Sequence, residues 1–200
     1  MNLLTDPDAF FADQARETDW LSPVLLLLAT TVVGALTVWV TIQQFFSGLG
    51  GAGAVFALAF GIGAAALSPV VVWLVISVWL YAVTAVFDGE GSFWETLRLA
   101  GWAFLPALVS SVIGLGATYV ALGSIAPPAS IQQFGAAQAR LQSHELVRLS
   151  SAAGVGFTLW QGVLLTYATR HARDVTTKEA AIAASVPILV SVGLTVSSLV

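Results

Sequence analysis

Hydrophobic residues follow one another with few interruptions over the first half of the chain. From Trp20 to Phe87 the sequence contains no Asp, Glu, Lys, Arg or His, and most positions are Leu, Val, Ala, Ile, Phe or Gly. A helix that crosses a membrane needs about 20 apolar residues to span roughly 30 Å of hydrocarbon. The uncharged stretch is long enough for at least two crossings, which indicates that the membrane is the solvent of this chain.

Apolar segments bounded by charged or Gly-rich positions predict five membrane helices. The spans are expected at residues 23–44, 67–87, 97–122, 147–169 and 179–199. Pro106 is expected to kink the third span. Residues 1–20 are expected to form a cytoplasmic interfacial segment, and residues 21–200 the membrane domain. The predicted fold class is therefore all-α, a polytopic membrane protein with five transmembrane helices in a bundle and a short N-terminal amphipathic helix.

The Gly/Ala-rich segment 48–66 decides the topology, because every later loop changes side if this segment crosses the membrane. Basic residues favour the cytoplasmic side of membrane proteins. Five spans with a cytoplasmic N-terminus place five basic residues inside and two outside, whereas six spans place three inside and four outside. We therefore expect five spans, a C-terminus outside and a location in the cell membrane. Segment 48–66 is then interfacial or a re-entrant hairpin, with a spanning helix as the alternative.

Two short helices are expected on the cytoplasmic face, and the first lies near the N-terminus. Asp6 has the residue type of an N-cap and Pro7 that of the first helical position. The aromatic side chains of Phe10 and Phe11 follow on one side of the chain. We expect this aromatic face to lie in the headgroup layer.

The second short helix is expected to begin at Ser92. Glu95 follows at the spacing of a capping box, in which a hydroxyl and a carboxylate satisfy the free backbone N–H groups of the first turn. Phe93, Trp94 and Trp102 are then placed near the membrane interface, where aromatic side chains are favoured.

Composition and motifs argue against several kinds of chemistry. The chain is 58% hydrophobic and 9% charged, with a net charge of −4, so nucleic acid is not an expected partner. Cysteine is absent, which excludes disulfides and thiolate catalysis. Gly48, Gly50 and Gly53 match G-x-G-x-x-G without the strand–turn–helix context that a nucleotide site requires. His144 begins an H-E-x-x-H pattern whose fifth position is Arg148, so the second zinc ligand is missing. We expect no enzymatic activity, no cofactor and no metal.

Gln161 is the most informative polar residue within a predicted span. An amide in the membrane needs hydrogen-bond partners, so the side chain should face another helix. We prefer a role in helix packing, supported by the neighbouring small residues Gly154 and Gly162. A path for a polar substrate is the functional alternative.

Three blocks of the sequence resemble the Yip-one domain family, the Ypt/Rab-interacting multi-span membrane proteins, which include prokaryotic members. Residues 6–11, Asp-Pro-Asp-Ala-Phe-Phe, are similar to the short helix before the first span of that family. Residues 91–106 resemble its central G-S-F … G-Y-a-x-x-P signature, with Trp102 at the position where Tyr is common. Residues 160–180 are similar to its last loop.

The resemblance implies five membrane helices, a cytoplasmic N-terminus and no catalytic activity. Eukaryotic members bind Rab-type GTPases mainly through a longer N-terminal region than residues 1–20, so small-GTPase binding is not expected here. We expect a scaffold that organises or shapes membrane, whose partners are lipids and either further copies of the chain or other membrane proteins. A small transporter, channel or lipid-moving protein is the alternative. The expected interaction residues are Phe10, Phe11, Ser92, Phe93, Trp94, Gly101, Trp102, Pro106, Gln161, Arg170 and His171.

Overall fold

The computed structural model describes residues 3–46 and 52–197, and these residues form eight helices and no strand. The helices are α1 (Pro7–Arg16), α2 (Leu21–Phe46), α3 (Ala52–Ala85), α4 (Phe93–Trp102), α5 (Leu105–Leu122), α6 (Ile131–Ser143), α7 (Glu145–Arg173) and α8 (Thr177–Ser197). The all-α class expected from the sequence is confirmed.

Both short helices begin where their capping residues predict. The Asp6 carboxylate accepts a hydrogen bond from the Ala9 backbone N–H at 3.1 Å, and Pro7 occupies the first turn of α1. The Ser92 hydroxyl accepts from the Glu95 backbone N–H at 3.1 Å. These side chains satisfy N–H groups that have no partner within a helix, which fixes both starts.

Four described helices are long and apolar enough to cross a membrane: Leu21–Phe45, Ala59–Ala85, Leu105–Leu122 and Thr177–Ser197. The fourth predicted span, 147–169, lies within α7 and is not among these four. With 29 residues, α7 is about 44 Å long and could reach across a bilayer. Its glycines, hydroxyl residues and Gln161 make it less apolar than the other long helices.

The predicted separation of segment 48–66 from the second span is corrected by α3. Within the described residues α3 continues without a break from Ala52, with Pro69 inside it, so residues 52–66 form no hairpin. A Cβ atom at Gly61 would lie 2.9 Å from the Val38 side chain, and the Thr31 hydroxyl donates to the Ala66 carbonyl at 3.5 Å. Small residues let α3 pack closely against α2, so this part of the segment runs beside the first span. Residues 48–51, which include Gly48 and Gly50 of the glycine motif, lie outside the described residues.

The third predicted span, 97–122, consists of two helices. The chain leaves α4 at Ala103, turns through Phe104 and begins α5 at Leu105. Pro106 lies in the first turn of α5, where its missing N–H costs no hydrogen bond. Proline therefore marks the start of a new helix here, and the expected kink within one continuous helix is wrong.

The long helices form one bundle whose two ends are built differently. At one end, α1, α4 and the loops before α4 and α8 pack together, and we call this the α1 end. At the other, the Phe45 ring lies 5.5 Å from the ring of Phe134 in α6, and Gln44 donates to the Leu122 carbonyl. We call this the α6 end. Within the described residues, the larger buried cluster lies toward the α1 end and the smaller one at the α6 end.

Basic residues are distributed unequally between the two ends. Five of the seven lie on elements of the α1 end, namely Arg16, Arg98, Arg170, Arg173 and Lys178, while Arg140 and Arg148 lie on elements of the α6 end. The two ends therefore differ in charge as well as in packing.

Candidate interaction site at the α1 end

Arg173, at the end of α7, is almost completely buried, with 3% of its surface exposed. Its Nε donates to the Thr84 hydroxyl at 3.0 Å, and its two terminal nitrogens donate to the carbonyl oxygens of Gly89 and Gly91. Its guanidinium carbon lies 4.3 Å from the centre of the Tyr81 ring, a cation–π contact. One side chain thus attaches the loop before α4 to α7 and to the end of α3.

The backbone of this loop is shaped to present its carbonyl groups to Arg173. Gly91 has φ +89°, a conformation that favours glycine, and a Cβ atom there would collide with the Ala172 carbonyl oxygen. Asp88 also has a positive φ of 54°. After α7, Asp174 adopts φ 49° and closes the helix, which turns the chain toward α8.

Asp8 connects α1 to the same end of α7. Its two carboxylate oxygens accept from the Arg170 guanidinium at 2.9 and 3.0 Å, and Oδ1 lies 2.7 Å from Nε2 of His171. A carboxylate only accepts, so His171 donates to it. The hydrogen bond from His171 and the positive charge of Arg170 hold the pKa of Asp8 below its ordinary value.

Arg98 makes a second connection to α1. This side chain is 4% exposed, and its guanidinium donates at 2.8 Å to the Gln14 carbonyl in the last turn of α1. The carbonyl end of a helix carries partial negative charge, so a cation is favourable there. Asp8 and Arg98 therefore attach the two ends of α1 to different helices.

Aromatic packing completes the docking of α1. Phe11 is fully buried, and the Phe10 ring meets the Trp102 ring edge to face with centroids 5.1 Å apart. Phe11 is enclosed by protein, so the expectation that it lies in the headgroup layer is wrong, while Phe10 is half-buried against Trp102. The physical reason is that α4, fully buried from Thr96 to Gly101, provides an apolar surface beneath α1.

Trp20 and Trp94 form an exposed aromatic pair beside the docked helix. Their ring centroids are 6.4 Å apart, and 36% and 66% of their surfaces are exposed. Phe93 turns inward instead, with its ring 5.8 Å from that of Tyr81. Ser92 is exposed and caps α4 as described above.

The remaining expected residues lie deeper in the bundle. Gly101 allows α4 to approach α2, because a Cβ atom there would be 2.7 Å from Pro23. Pro106 is buried at the start of α5. Gln161 is half-buried in the middle of α7 and is not part of the α1 end.

Sequence reasoning missed the two buried arginines, Arg98 and Arg173. It also missed Tyr81 and Thr84, which contact Arg173. One signal was available. In a chain with only seven Lys and Arg residues, Arg98 is followed by the apolar run Leu99–Phe104 and Arg173 lies at the end of a long helix. Because burying an unpaired charge is costly, such positions indicate a specific set of acceptors.

The family model for the Yip1 domain matches residues 1–199. The chain belongs to the Yip1 family. The resemblance seen in the sequence is therefore confirmed. The Yip1 chain is also 29% identical over 126 residues to an uncharacterized protein of Methanocaldococcus jannaschii, covering 60% of this chain and 89% of that protein. No solved structure matches.

The three blocks that carried the resemblance meet at the α1 end of this Yip1 protein. Residues 6–11 supply Asp8 and the phenylalanines of α1, residues 91–106 supply the Gly91 carbonyl and α4, and residues 160–180 supply the arginines of α7. Among the residues that the structure describes, no group of three or more His, Cys, Asp or Glu side chains could hold a metal ion. The polar side chains described at the α1 end form hydrogen bonds and ion pairs that join helices and loops to one another.

Proposed function

We propose that this Yip1 protein is a non-enzymatic scaffold of the cell membrane, with five spans and the α1 end in the cytoplasm. The distribution of basic residues supports this orientation, since the cytoplasmic side is favoured by Lys and Arg. In this topology α7 is the fourth span, the N-terminus is inside and the C-terminus is outside.

The observation that carries the proposal is the attachment of α1 and the 86–92 loop to α4 and α7. We call these four elements the platform. Arg173 and Arg98 are buried with all of their described partners on the platform or on the adjoining end of α3. Residues separated by more than 80 positions are held together without a catalytic group between them. A fixed surface of this kind suits a binding role better than a catalytic one.

The outer surface of the platform has features suited to two kinds of partner. Trp20 and Trp94 can enter the headgroup layer, where aromatic side chains are favoured. Glu17, Asp88 and Glu90 are exposed and acidic, and they face away from the lipid in the proposed orientation. We propose that the aromatic pair binds lipid and that the acidic surface contacts another copy of the chain or another membrane protein.

Vesicle reconstitution tests the scaffold function. We expect the full chain to change the size distribution of vesicles or to self-associate, as measured by electron cryomicroscopy and crosslinking. Trp94→Ala should weaken both effects. Trp39→Ala is the control, because Trp39 is also an exposed tryptophan, at 42% against 66% for Trp94, and lies on α2 away from the platform. Equal effects of the two variants, or no effect of the wild-type chain on vesicles, would contradict the proposal.

Transport is the second candidate function, and Gln161 is the residue that favours it. Against it, Leu164 and Leu165, which follow Gln161 on α7 toward the α1 end, are fully buried, so apolar side chains fill the bundle on that side of Gln161. An ion or lipid flux in the same vesicles that Gln161→Leu abolishes would replace the scaffold proposal. If vesicles with the wild-type chain and vesicles with Gln161→Leu both show only the background leak, the result supports the scaffold proposal.

A further inference from the structure

Arg98 is a nearly buried cation to which the described residues give no negative partner. A guanidinium has five N–H donors, and one of them, on Nη1, is used in the hydrogen bond to the Gln14 carbonyl. Within the described part of the chain, Arg98 forms no other hydrogen bond and no ion pair. One neutral carbonyl does not offset the cost of taking a guanidinium out of water, so an anion is the favourable further partner.

Asp19 is close enough to Arg98 to be affected by its charge, but both of its carboxylate oxygens are used elsewhere. Oδ2 accepts from the Ser22 hydroxyl at 2.5 Å and Oδ1 from the Leu21 backbone N–H at 2.8 Å. These hydrogen bonds and, to a lesser extent, the positive charge of Arg98 hold the pKa of Asp19 below its ordinary value. Asp19 therefore holds the start of α2 without pairing with Arg98.

The unused donors of Arg98 lie together on one edge of the guanidinium. With Nη1 bound to Gln14, Nε and Nη2 remain, and these two nitrogens form the edge that binds a phosphate or carboxylate through two parallel hydrogen bonds. Neither nitrogen is among the fully enclosed polar atoms that lack a partner in the described structure. The 4% of Arg98 that is exposed therefore includes this edge, which a ligand can reach from the surface.

Trp102 supplies a second donor beside this edge. It follows Arg98 by four residues on α4, so the two side chains share one face of the helix. Its indole N–H is enclosed and has no acceptor among the described residues. Helix α1 runs along both side chains, because Phe10 packs on Trp102 and the Gln14 carbonyl accepts from Arg98. A cation and an indole N–H thus lie one turn apart between α1 and α4.

The position of Trp94 indicates which anion this site meets. Trp94 precedes Arg98 by four residues on the same face of α4, and its exposed ring contacts that of Trp20. Exposed tryptophans are favoured at the level of the lipid headgroups. Arg98 is one helical turn from this level, where phosphate is the common anionic group. Arginine matches phosphate in geometry as well as in charge.

We propose that the free edge of Arg98, together with the Trp102 N–H, binds a phosphate group. The group can come from a phospholipid head or from free phosphate, since both present the same oxygens. Because the indole N–H is enclosed, its contact with the ligand requires a shift of α1. The inference rests on the proposed function only in placing the α1 end at the membrane interface.

Binding to the purified full chain in detergent tests this site without regard to its orientation in a membrane. The probes are dioleoylphosphatidylglycerol, dioleoylglycerol, which has the same chains without the phosphate, and inorganic phosphate. The readout is the nuclear magnetic resonance signal of the Trp102 indole N–H, identified by its loss in Trp102→Phe. We expect the phospholipid to shift this signal and dioleoylglycerol to leave it unchanged. Competition by inorganic phosphate would support a free source, and a shift that resists inorganic phosphate would support a lipid source.

Two substitutions separate phosphate binding from a purely structural role, with affinities measured by native mass spectrometry. Arg98→Met keeps much of the side-chain volume and should weaken phospholipid binding about tenfold or more, because two charge-assisted hydrogen bonds are lost. Arg16→Met is the matched control, since it removes the same charge from an exposed position on α1. Trp102→Phe retains an aromatic ring against Phe10 and should weaken binding about threefold or more. Thermal melting without lipid identifies a folding defect in any variant.

Three results would overturn the proposal. They are equal binding of the two lipids, equal effects of Arg98→Met and Arg16→Met, and no shift of the Trp102 signal with any phosphate probe, as expected if water alone meets these donors. A chain that reshapes vesicles but binds no phosphate would contradict this inference alone. A chain that binds phosphate but neither reshapes vesicles nor self-associates would contradict the scaffold alone.

Discussion

Arg173 donates a hydrogen bond to Thr84 across 89 residues of sequence, with 3.0 Å between Nε and the hydroxyl oxygen. The same hydroxyl donates to the Leu80 carbonyl at 2.7 Å, so its orientation is set by the backbone of α3. Thr84 is fully buried and the arginine nearly so. The contact therefore fixes the end of α7 relative to α3, and with it the loop that Arg173 also binds.

Replacement of Arg173 should destabilise the protein strongly. Arg173→Met fills similar space but removes the donor to the fully buried Thr84 hydroxyl and to the part-buried Gly89 and Gly91 carbonyls. A buried polar group left without its partner costs about 1–3 kcal/mol. We expect a loss of about 2–4 kcal/mol in unfolding free energy, measured by denaturant titration in detergent. Arg16→Gln, at an exposed position, should change stability by less than about 0.5 kcal/mol. Similar behaviour of the two variants would contradict the role assigned to Arg173.

Gly91→Ala should be destabilising for a reason of backbone geometry. The residue has φ +89° and its Cβ atom would meet the Ala172 carbonyl. Left-handed strain and the collision together predict a cost of about 2–4 kcal/mol. Gly156→Ala is the control, because no atom lies within 4 Å of the Cβ position and alanine favours a helix. Thermal melting should separate them, and a wild-type melting temperature for Gly91→Ala would show that the loop can change conformation freely.

The features that sequence analysis predicted well depend on neighbouring residues. The caps at Asp6 and Ser92 were predicted because a side chain and its N–H partner are three residues apart. The burial of Phe11 was not predicted. The sequence pattern of an amphipathic helix is the same whether its apolar face contacts lipid or protein. Only the position of α4 beneath α1 decides between them.

The Gly/Ala-rich segment shows a second limit of sequence analysis. Segment 48–66 is rich in Gly and Ala, which suggested an interfacial segment or a re-entrant hairpin, with a spanning helix as the alternative. In the structure the small side chains let α3 approach α2 at Gly61 and Ala66, so packing compensates for low apolar area. The arginine contacts join residues far apart in the sequence, and no local pattern encodes their partners.

Docking of α1 should depend on the charge of Asp8. Asp8→Asn removes the ion pair with Arg170 and should speed hydrogen exchange of residues 7–16 severalfold. The effect is modest, less than about 1 kcal/mol, because the Asp8 side chain is 44% exposed. Asp13→Asn on the same helix is the control. If both variants exchange alike, the Asp8 contact does not hold α1.

The same contact predicts the pH dependence of docking. The pKa of Asp8 in the folded protein is lowered from 3.8, so the carboxylate stabilises the docked state fully at neutral pH. This contribution is lost as the pH falls below 3.8, through the lowered pKa of the folded state. Hydrogen exchange of α1 at several pH values, corrected for intrinsic rates, should show the loss in wild type and not in Asp8→Asn. A loss at higher pH in the wild-type chain would assign the change to another group.

The proposed orientation can be tested because the chain contains no cysteine to remove. Glu90 is exposed in the loop beside the platform and Gly135 is exposed on α6, so a single cysteine at either position should react without disturbing the core. In intact cells a membrane-impermeant maleimide should label Gly135→Cys and leave Glu90→Cys unlabelled until the cells are opened. The contrast is informative because the two positions belong to opposite ends of one bundle, so they must give opposite results if the bundle spans the membrane. Labelling of Glu90→Cys from outside would place the platform, its acidic surface and five of the seven basic residues on the outer face, and the cytoplasmic scaffold would have to be abandoned.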